Sequence, residues 1–248
     1  KYDGYRSYCK MVVLITGGTG SLGIELKKIF PENISPTHEE LDITNKEQVK
    51  KIFQQNKIDT VIHTAAITKV RKCEDDKQLA WDVNVEGTKN LIDEIIHSKL
   101  NINFVYVSTA CVFDGHSGMY TEKSIPYPEN FYSLTKLLGE FEVNRLPNTT
   151  IIRTNFVPRK PWPYEKAFTD RFGTYLFADQ VANGIQDIIK EKITGIVHIV
   201  GDKKISIFEL AKMTTPQIEP MTIKDYSGPP LTMDMSLETI RWKKYTII

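Results

Sequence analysis

The chain has 248 residues, 41% of them hydrophobic and 25% charged, with a formal net charge of +1. That length suits one large domain, or one domain with a small appendage, and it holds core enough to fold alone. Near-neutral charge removes the electrostatic argument for a nucleic-acid or anionic-membrane partner, and three scattered cysteines (Cys9, Cys73 and Cys111) make neither a disulfide framework nor a metal knuckle.

Residues 1–10 carry three tyrosines and no apolar run, so they read as an N-terminal extension rather than a secretory signal. From Met11 the pattern alternates between strand and helix. Met11–Thr16 is an apolar β-rich run, Gly17–Gly23 a glycine turn, and Leu22–Phe30 has helical spacing until Pro31 and Pro36 break it. The spacing predicts a helix over Asn45–Asn56, a strand over Thr60–His63 and a long helix over Leu79–Ser98. Phe104–Ser108 (FVYVS) is a further apolar strand. Helix is expected over Tyr132–Arg145, strand over Thr150–Arg153, helix over Phe177–Ile189 and a last strand over Ile196–Val200. No apolar run nears the roughly 18 residues of a membrane span, so the expectation is a cytoplasmic protein with no membrane partner.

Uniformly apolar strands separated by helices of this length imply an α/β fold, a doubly wound parallel sheet covered on both faces. Residues 11–157 are expected to form a dinucleotide-binding domain. Residues 158–248 read as a mixed C-terminal part, a small substrate lobe with 177–200 returning to the main sheet.

Thr16–Gly23 (TGGTGSLG) comes directly after the first strand and opens the first helix. Glycines at 17, 20 and 23 let backbone amides approach a pyrophosphate at a helix N-terminus, where the dipole favours negative charge. Gly17, Gly20, Ser21, Leu22 and Gly23 are the cofactor-binding residues expected of this turn. At the end of the second strand, Ile34–His38 offers neither an acid for a ribose diol nor an arginine for a 2′-phosphate. Hydroxyls and His38 there point to NADP, with NAD the alternative.

Tyr132 and Lys136 form Y-x-x-x-K, which places both side chains on one helix face. Their helix comes after the strand ending at Ser108-Thr109, and strand C-termini form the ligand crevice of an open α/β sheet. Tyrosine, with an ordinary pKa near 10, needs a nearby cation to act as acid or base at neutral pH. Lys136 is expected to supply that charge, and Thr109 to orient a substrate carbonyl. No metal enters this scheme.

Together, Gly17/Gly20/Gly23, Asp42-Ile43, Thr64–Ala66, Asn84–Thr88 (NVEGT), Ser108-Thr109 and Tyr132…Lys136 resemble the extended short-chain dehydrogenase/reductases. Leu41–Thr44 (LDIT), Val70–Glu74 (VRKCE), Val112–Gly115 (VFDG), Tyr120–Glu122 (YTE), Pro128–Tyr132 (PENFY) and Ile152–Thr154 (IRT) narrow the resemblance to the dTDP-4-dehydrorhamnose reductase group. The resemblance implies that Asp42 and Ile43 contact adenine, that Ala65 and Ala66 line the cofactor, and that Asn84 sits near the catalytic group. It also implies that Asn155 and Phe156 contact a nucleotide-sugar, and it leaves a homodimer open. Asp42 reads equally as a helix N-terminal acid before Asn45, and Asn84 as a packing residue. Arg159, Lys160 and Arg171 read either as diphosphate partners or as solvent-facing charges.

Two features depart from the group: Ala110 stands after Ser108-Thr109 where relatives carry an aspartate, and the stretch after Arg159 is short. Cys111 opens an alternative, an epimerase-reductase of the GDP-fucose synthase kind with the thiol moving a proton at carbon. The plainer reading of Cys111, and the favoured one, is a small buried hydrophobe. A non-catalytic, cofactor-binding regulatory subunit is the other alternative.

Overall fold

In the first strand, Val13 and Ile15 pack into one apolar layer and Leu14 into another. Successive strand residues point to opposite faces, so a strand apolar on both is stable only between two helical layers. That constraint organises the structure, a computed structural model that describes residues 11–248. The expected extension at residues 1–10 lies outside the described residues.

In chain order the elements run β1 (Val13–Thr16), α1 (Ser21–Ile29), β2 (Asn33–Ile34), α2 (Lys46–Gln55), β3 (Thr60–His63), α3 (Val70–Asp75) and α4 (Lys77–Trp81). A π-turn (Asp82–Glu86) leads into α5 (Gly87–His97), β4 (Asn103–Val107), α6 (Phe131–Val143) and β5 (Thr149–Thr154). Short strands β6 (Phe156–Val157), β7 (Lys166–Phe168), β8 (Phe172–Gly173) and β9 (Leu176–Phe177) precede α7 (Ala178–Lys190) and β10 (Gly195–Ile199). Beyond it lie β11 (Ile205–Ser206), α8 (Ile207–Lys212), β12 (Glu219–Met221) and β13 (Asp234–Met235).

Six strands form one parallel sheet in the order β10-β5-β4-β3-β1-β2. The protein is therefore the doubly wound α/β structure that the apolar pattern predicts. The chain leaves β1 toward β2 on one side and returns to β3 on the other, which puts the topological switch point between β1 and β3. Leu22, Leu26, Val181 and Ile185 from α1 and α7 cover one face. Val49, Phe53, Leu91 and Ile95 from α2 and α5 cover the other. The segment after β5 makes three small sheets, β11-β8-β13, β12-β7 and β6-β9, while α7 and β10 return to the central sheet.

The spacing predicts one helix over Leu79–Ser98, but the chain makes α4, the π-turn and α5 there. A π-turn widens the helix by one residue and so rotates α5 relative to α4. Gly87 at its exit abuts Ile43, whose Cδ1 would lie 2.7 Å from an added Cβ.

One charged pair is buried in this frame. Arg153 on β5 donates to Glu140 on α6 through Nε (2.9 Å) and Nη2 (2.6 Å), and Ser108 Oγ donates to the same carboxylate at 2.5 Å. Removing one member of a buried ion pair leaves the other uncompensated, at a cost of about 3–5 kcal/mol. Glu140→Ala is expected to lose that much stability in urea unfolding. Glu140→Leu combined with Arg153→Met should recover most of it.

Candidate active site

β1 ends at Thr16, and the chain turns at Gly17 with φ +74°, a conformation that favours glycine. An added Cβ there would sit 2.7 Å from the Ala65 amide nitrogen and 2.8 Å from Thr64 Oγ1. Gly23 packs α1 just as tightly, since its Cβ would lie 2.6 Å from Gly18 Cα. Gly20 is the N-cap of α1, with no side-chain cap and no acid in the first turn. The first-turn amides therefore lack a protein side-chain partner, which suits an anion.

These residues open onto a cleft of about 440 Å³ at the switch point, lined by Gly17, Gly20, Asp42, Ile43, Ala65 and Ala66 among others. Leu22 and Gly23 are buried behind the loop, and Ser21 faces an outer groove beside Pro158 and Asp179. The cleft fits a dinucleotide on two grounds: a backbone cradle that any Cβ would fill, and an uncapped helix start.

The far end of the cleft holds Pro36, His38, Lys72, Leu79 and Val83. Asp42 in the cleft and Glu40 in the neighbouring groove both make local bonds. Glu40 accepts the Thr37 amide at 2.8 Å, and Thr37's hydrogen bonds hold its carboxyl below the ordinary value. Asp42 Oδ1 accepts the Thr44 amide (2.9 Å) and hydroxyl (2.8 Å), while Asn45 caps α2. Lys72 escaped the sequence reading because its helix, α3, has only six residues and no clear period.

On the other side of β3, Thr109 lies just past β4 and caps a short 3₁₀ turn by accepting the Cys111 amide at 3.1 Å. Its hydroxyl comes near enough to the Tyr132 phenol to favour the phenol's ionised form, so two of the three expected catalytic groups meet. Burial pushes the phenol above its ordinary value and the neighbouring Cys111 adds to this, while the Thr109 hydroxyl opposes both. Lys136 lies one turn further along α6, with Nζ 4.0 Å from the centre of the Tyr106 ring. Burial pulls its pKa down to about 7, with Glu140 opposing. The phenol's neighbours are thus Thr109 and Cys111, and the amine rests on an aromatic face.

Asn84, in the π-turn, is bound on three sides. Its Oδ1 accepts the Ile67 amide (2.8 Å), and its Nδ2 donates to Ile67 O (3.0 Å) and Thr135 Oγ1 (2.9 Å). The Thr135 hydroxyl in turn donates to Tyr132 O at 2.8 Å.

A C-terminal strap, residues 227–235, crosses the substrate side. Its carbonyls at Ser227, Pro230 and Thr232 accept from Arg71 (2.6 Å), Asn130 (3.1 Å) and Arg171 (3.1 Å). Asn155 Nδ2 donates to Met235 O at 2.7 Å, and Cys111 Sγ lies 3.3 Å from Met235 Sδ. Beneath it Thr109 is 6% and Lys136 3% exposed. Asn155 is thus held by the strap, and Phe156 is half-buried in β6. Arg159 pairs with Asp179 at 3.0 Å. Arg159 and Arg171, which the sequence leaves open between diphosphate partners and solvent-facing charges, are each engaged within the chain.

The family model described as RmlD substrate binding domain matches residues 11–168. The chain belongs to that family. It lies within the extended short-chain dehydrogenase/reductases. It is 31% identical to a dTDP-4-dehydrorhamnose reductase of Aggregatibacter actinomycetemcomitans, over 80% of this chain and 76% of that one. It is 28% identical to a methionine adenosyltransferase 2 subunit beta of Xenopus laevis, over 94% and 82%. A dTDP-4-dehydrorhamnose reductase of Bacillus anthracis, solved in complex with NADP, shares the fold at a TM-score of 0.84 and 24% identity, over 92% and 90% of the two chains. Among the described residues, no helix is long and apolar enough to cross a membrane, and no cluster of three His, Cys, Asp or Glu side chains is placed to hold a metal.

The tightness of the glycine cradle and the burial of Lys136 each set a measurable outcome. Gly17→Ala is expected to weaken dinucleotide binding by about tenfold or more in calorimetric titration, about 1.4 kcal/mol, because the new Cβ forces Ala65 out of the cradle. The second concerns pH. Lys136 holds its proton to about 10.5 when unfolded but only to about 7 when folded. Between those values the unfolded chain binds more protons, so stability rises with pH across that window. The stability advantage of Lys136→Met over the native chain should be flat below about pH 7 and shrink toward about pH 10. Urea unfolding across pH checks this, and a constant difference contradicts it.

Proposed function

We propose that the protein reduces the 4-keto group of a 4-keto-6-deoxy nucleotide-sugar with NADPH, most like dTDP-4-dehydro-L-rhamnose to dTDP-L-rhamnose. The observation that carries this reading is the convergence of Thr109 and Tyr132, with Lys136 one turn on, at the end of β4 and one strand from the glycine cradle.

In this reading Gly17, Gly20, Asp42, Ile43, Ala65 and Ala66 hold the dinucleotide, with the amides of Ser21, Leu22 and Gly23 facing its diphosphate. NADP is favoured over NAD because His38 and Lys72 line the cleft, while Asp42 there holds the Thr44 amide and hydroxyl through Oδ1. The reduced cofactor, when bound, supplies the hydride. Tyr132 gives a proton to the sugar oxygen, and burial keeps that phenol protonated at neutral pH. Thr109 steadies the oxygen and the tyrosinate left behind. Lys136, in its charged form, stabilises that tyrosinate and holds the nicotinamide ribose. Asn155 and Phe156 line the sugar side, with Asn155 exchanging its bond to Met235 O for one to substrate.

The direct test is consumption of NADPH with dTDP-4-dehydro-L-rhamnose and a panel of related keto-sugar nucleotides. Tyr132→Phe should lower kcat by about 10²–10⁴-fold while dinucleotide affinity changes by less than about threefold. Full turnover without the phenol would overturn the mechanism.

A regulatory-subunit reading is favoured by one observation, the strap bound across Asn155 and Cys111. It predicts NADP binding without consumption across the whole panel. The epimerase reading predicts deuterium uptake at sugar C3 or C5, lost in Cys111→Ser. The Cys111 thiol lies against the Met235 sulfur, and the simple reduction proposed here predicts no uptake.

A further inference from the structure

His63, the last residue of β3, is 1% exposed and belongs to neither the cleft lining nor the Thr109–Tyr132 pair. Its ring lies between two hydroxyls: Nδ1 is 2.6 Å from Thr16 Oγ1, and Nε2 is 2.9 Å from Thr88 Oγ1. The Thr88 hydroxyl proton is already given to Asn84 O at 2.8 Å. Thr88 Oγ1 can then only accept from the ring, so Nε2 carries the proton. Nδ1 is left with a lone pair and accepts from Thr16, whose oxygen lies 3.5 Å from the Ala65 amide.

We propose that His63 is a positioning residue: a neutral imidazole protonated at Nε2, tying the cofactor floor at Thr16 and Ala65 to the π-turn that carries Asn84, and through Asn84 and Thr135 to Tyr132. Every bond has one direction. Ala65 N–H points to Thr16, Thr16 to His63, His63 to Thr88, and Thr88 to the Asn84 carbonyl; the Asn84 amide then donates to Thr135, and Thr135 to the Tyr132 carbonyl. The chain joins β1, β3, the π-turn and α6, which no single element spans. A second ring proton would turn Nδ1 into a donor and leave the Thr16 hydroxyl without its acceptor. The surroundings prevent that: Phe104 and Tyr106 flank the ring at 6.0 and 5.6 Å, and burial, with the Lys136 charge adding, pulls its pKa down to about 3. Thr88 also gives the widened turn a fixed partner for a backbone carbonyl, so the ring sets the turn's geometry.

The effect on turnover rests on the reductase reading, whereas the geometry does not, and the test separates the two. In ¹⁵N-labelled protein the His63 ring should show the Nε2–H tautomer. Exchange of the Asn84 side-chain amide should quicken by about tenfold or more in both His63→Asn and Thr88→Val. His63→Gln, which can present a donor at the Nε2 position, should restore it. With keto-sugar and NADPH, kcat should fall by about tenfold in the two loss variants with KM changing by less than about threefold, and recover in the Gln variant. An Nδ1–H tautomer, unaltered Asn84 exchange in the two loss variants, or unchanged kcat in an active enzyme would overturn the proposal. A native protein that consumes no cofactor would refute the reductase reading, while the tautomer and the exchange rates still decide the relay.

Discussion

The side chain of Asn84 occupies a gap between two parts of the chain that must not drift apart. On one side is the loop after β3, at Ile67, and on the other the first turn of α6, at Thr135. A buried amide left unpaired costs about 1–3 kcal/mol, so the arrangement with all its bonds made is strongly preferred over any with one broken. The π-turn is what lets the residue face both ways. An α-helical continuation from α4 would rotate position 84 relative to α5, and Gly87 would no longer meet Ile43 in the same register.

Around that point the fold resolves two conflicting demands. Parallel strands buried on both faces need apolar residues up to their C-terminal ends, yet the crevice at those ends needs polar groups. The chain meets both by ending its central strands on small hydroxyls or their equivalents: Thr16 on β1, His63 on β3, and Ser108-Thr109 just past β4. Each is buried and each has a partner, Thr16 with His63, Ser108 with Glu140, and Thr109 with Cys111. Glycine at 17 then brings backbone where a side chain would collide with Ala65.

How much of this was legible in the sequence depends on whether a feature was local. The strand Thr60–His63 is read with its observed bounds, because three consecutive β-branched residues, Thr60, Val61 and Ile62, leave little choice. The glycine turn and the Tyr132/Lys136 spacing are equally local, and both stand at the sheet's C-terminal edge. The π-turn left no mark, since shifting hydrogen bonds by one residue needs no change of composition and Asp82–Glu86 looks helical in any window. Lys72 was missed because α3 is too short to show a period. The engagements of Asn155, Arg159 and Arg171 were hidden for a different reason. Their partners Met235, Asp179 and Thr232 are 80, 20 and 61 residues away, and only the folded chain shows that these side chains are already engaged.

The charge arrangement around Lys136 arises from the same packing. Glu140 is the carboxylate near enough to oppose the loss of the Lys136 proton, but both its oxygens are held by Arg153 and one also by Ser108. Burial outweighs that carboxylate and pulls the Lys136 pKa down to about 7, with the amine resting on the Tyr106 ring. In the proposed reaction Tyr132 loses a proton, and an anion forms on the same helix face one turn away. An anion there favours the charged amine, so proton loss at the phenol is coupled to proton gain at the lysine. A lysine fully committed to Glu140 would stay charged throughout and respond little to events at Tyr132. With burial holding it near neutrality, Lys136 is poised where a change at the phenol alters its protonation, while Arg153 and Ser108 satisfy the Glu140 carboxylate that the same core buries.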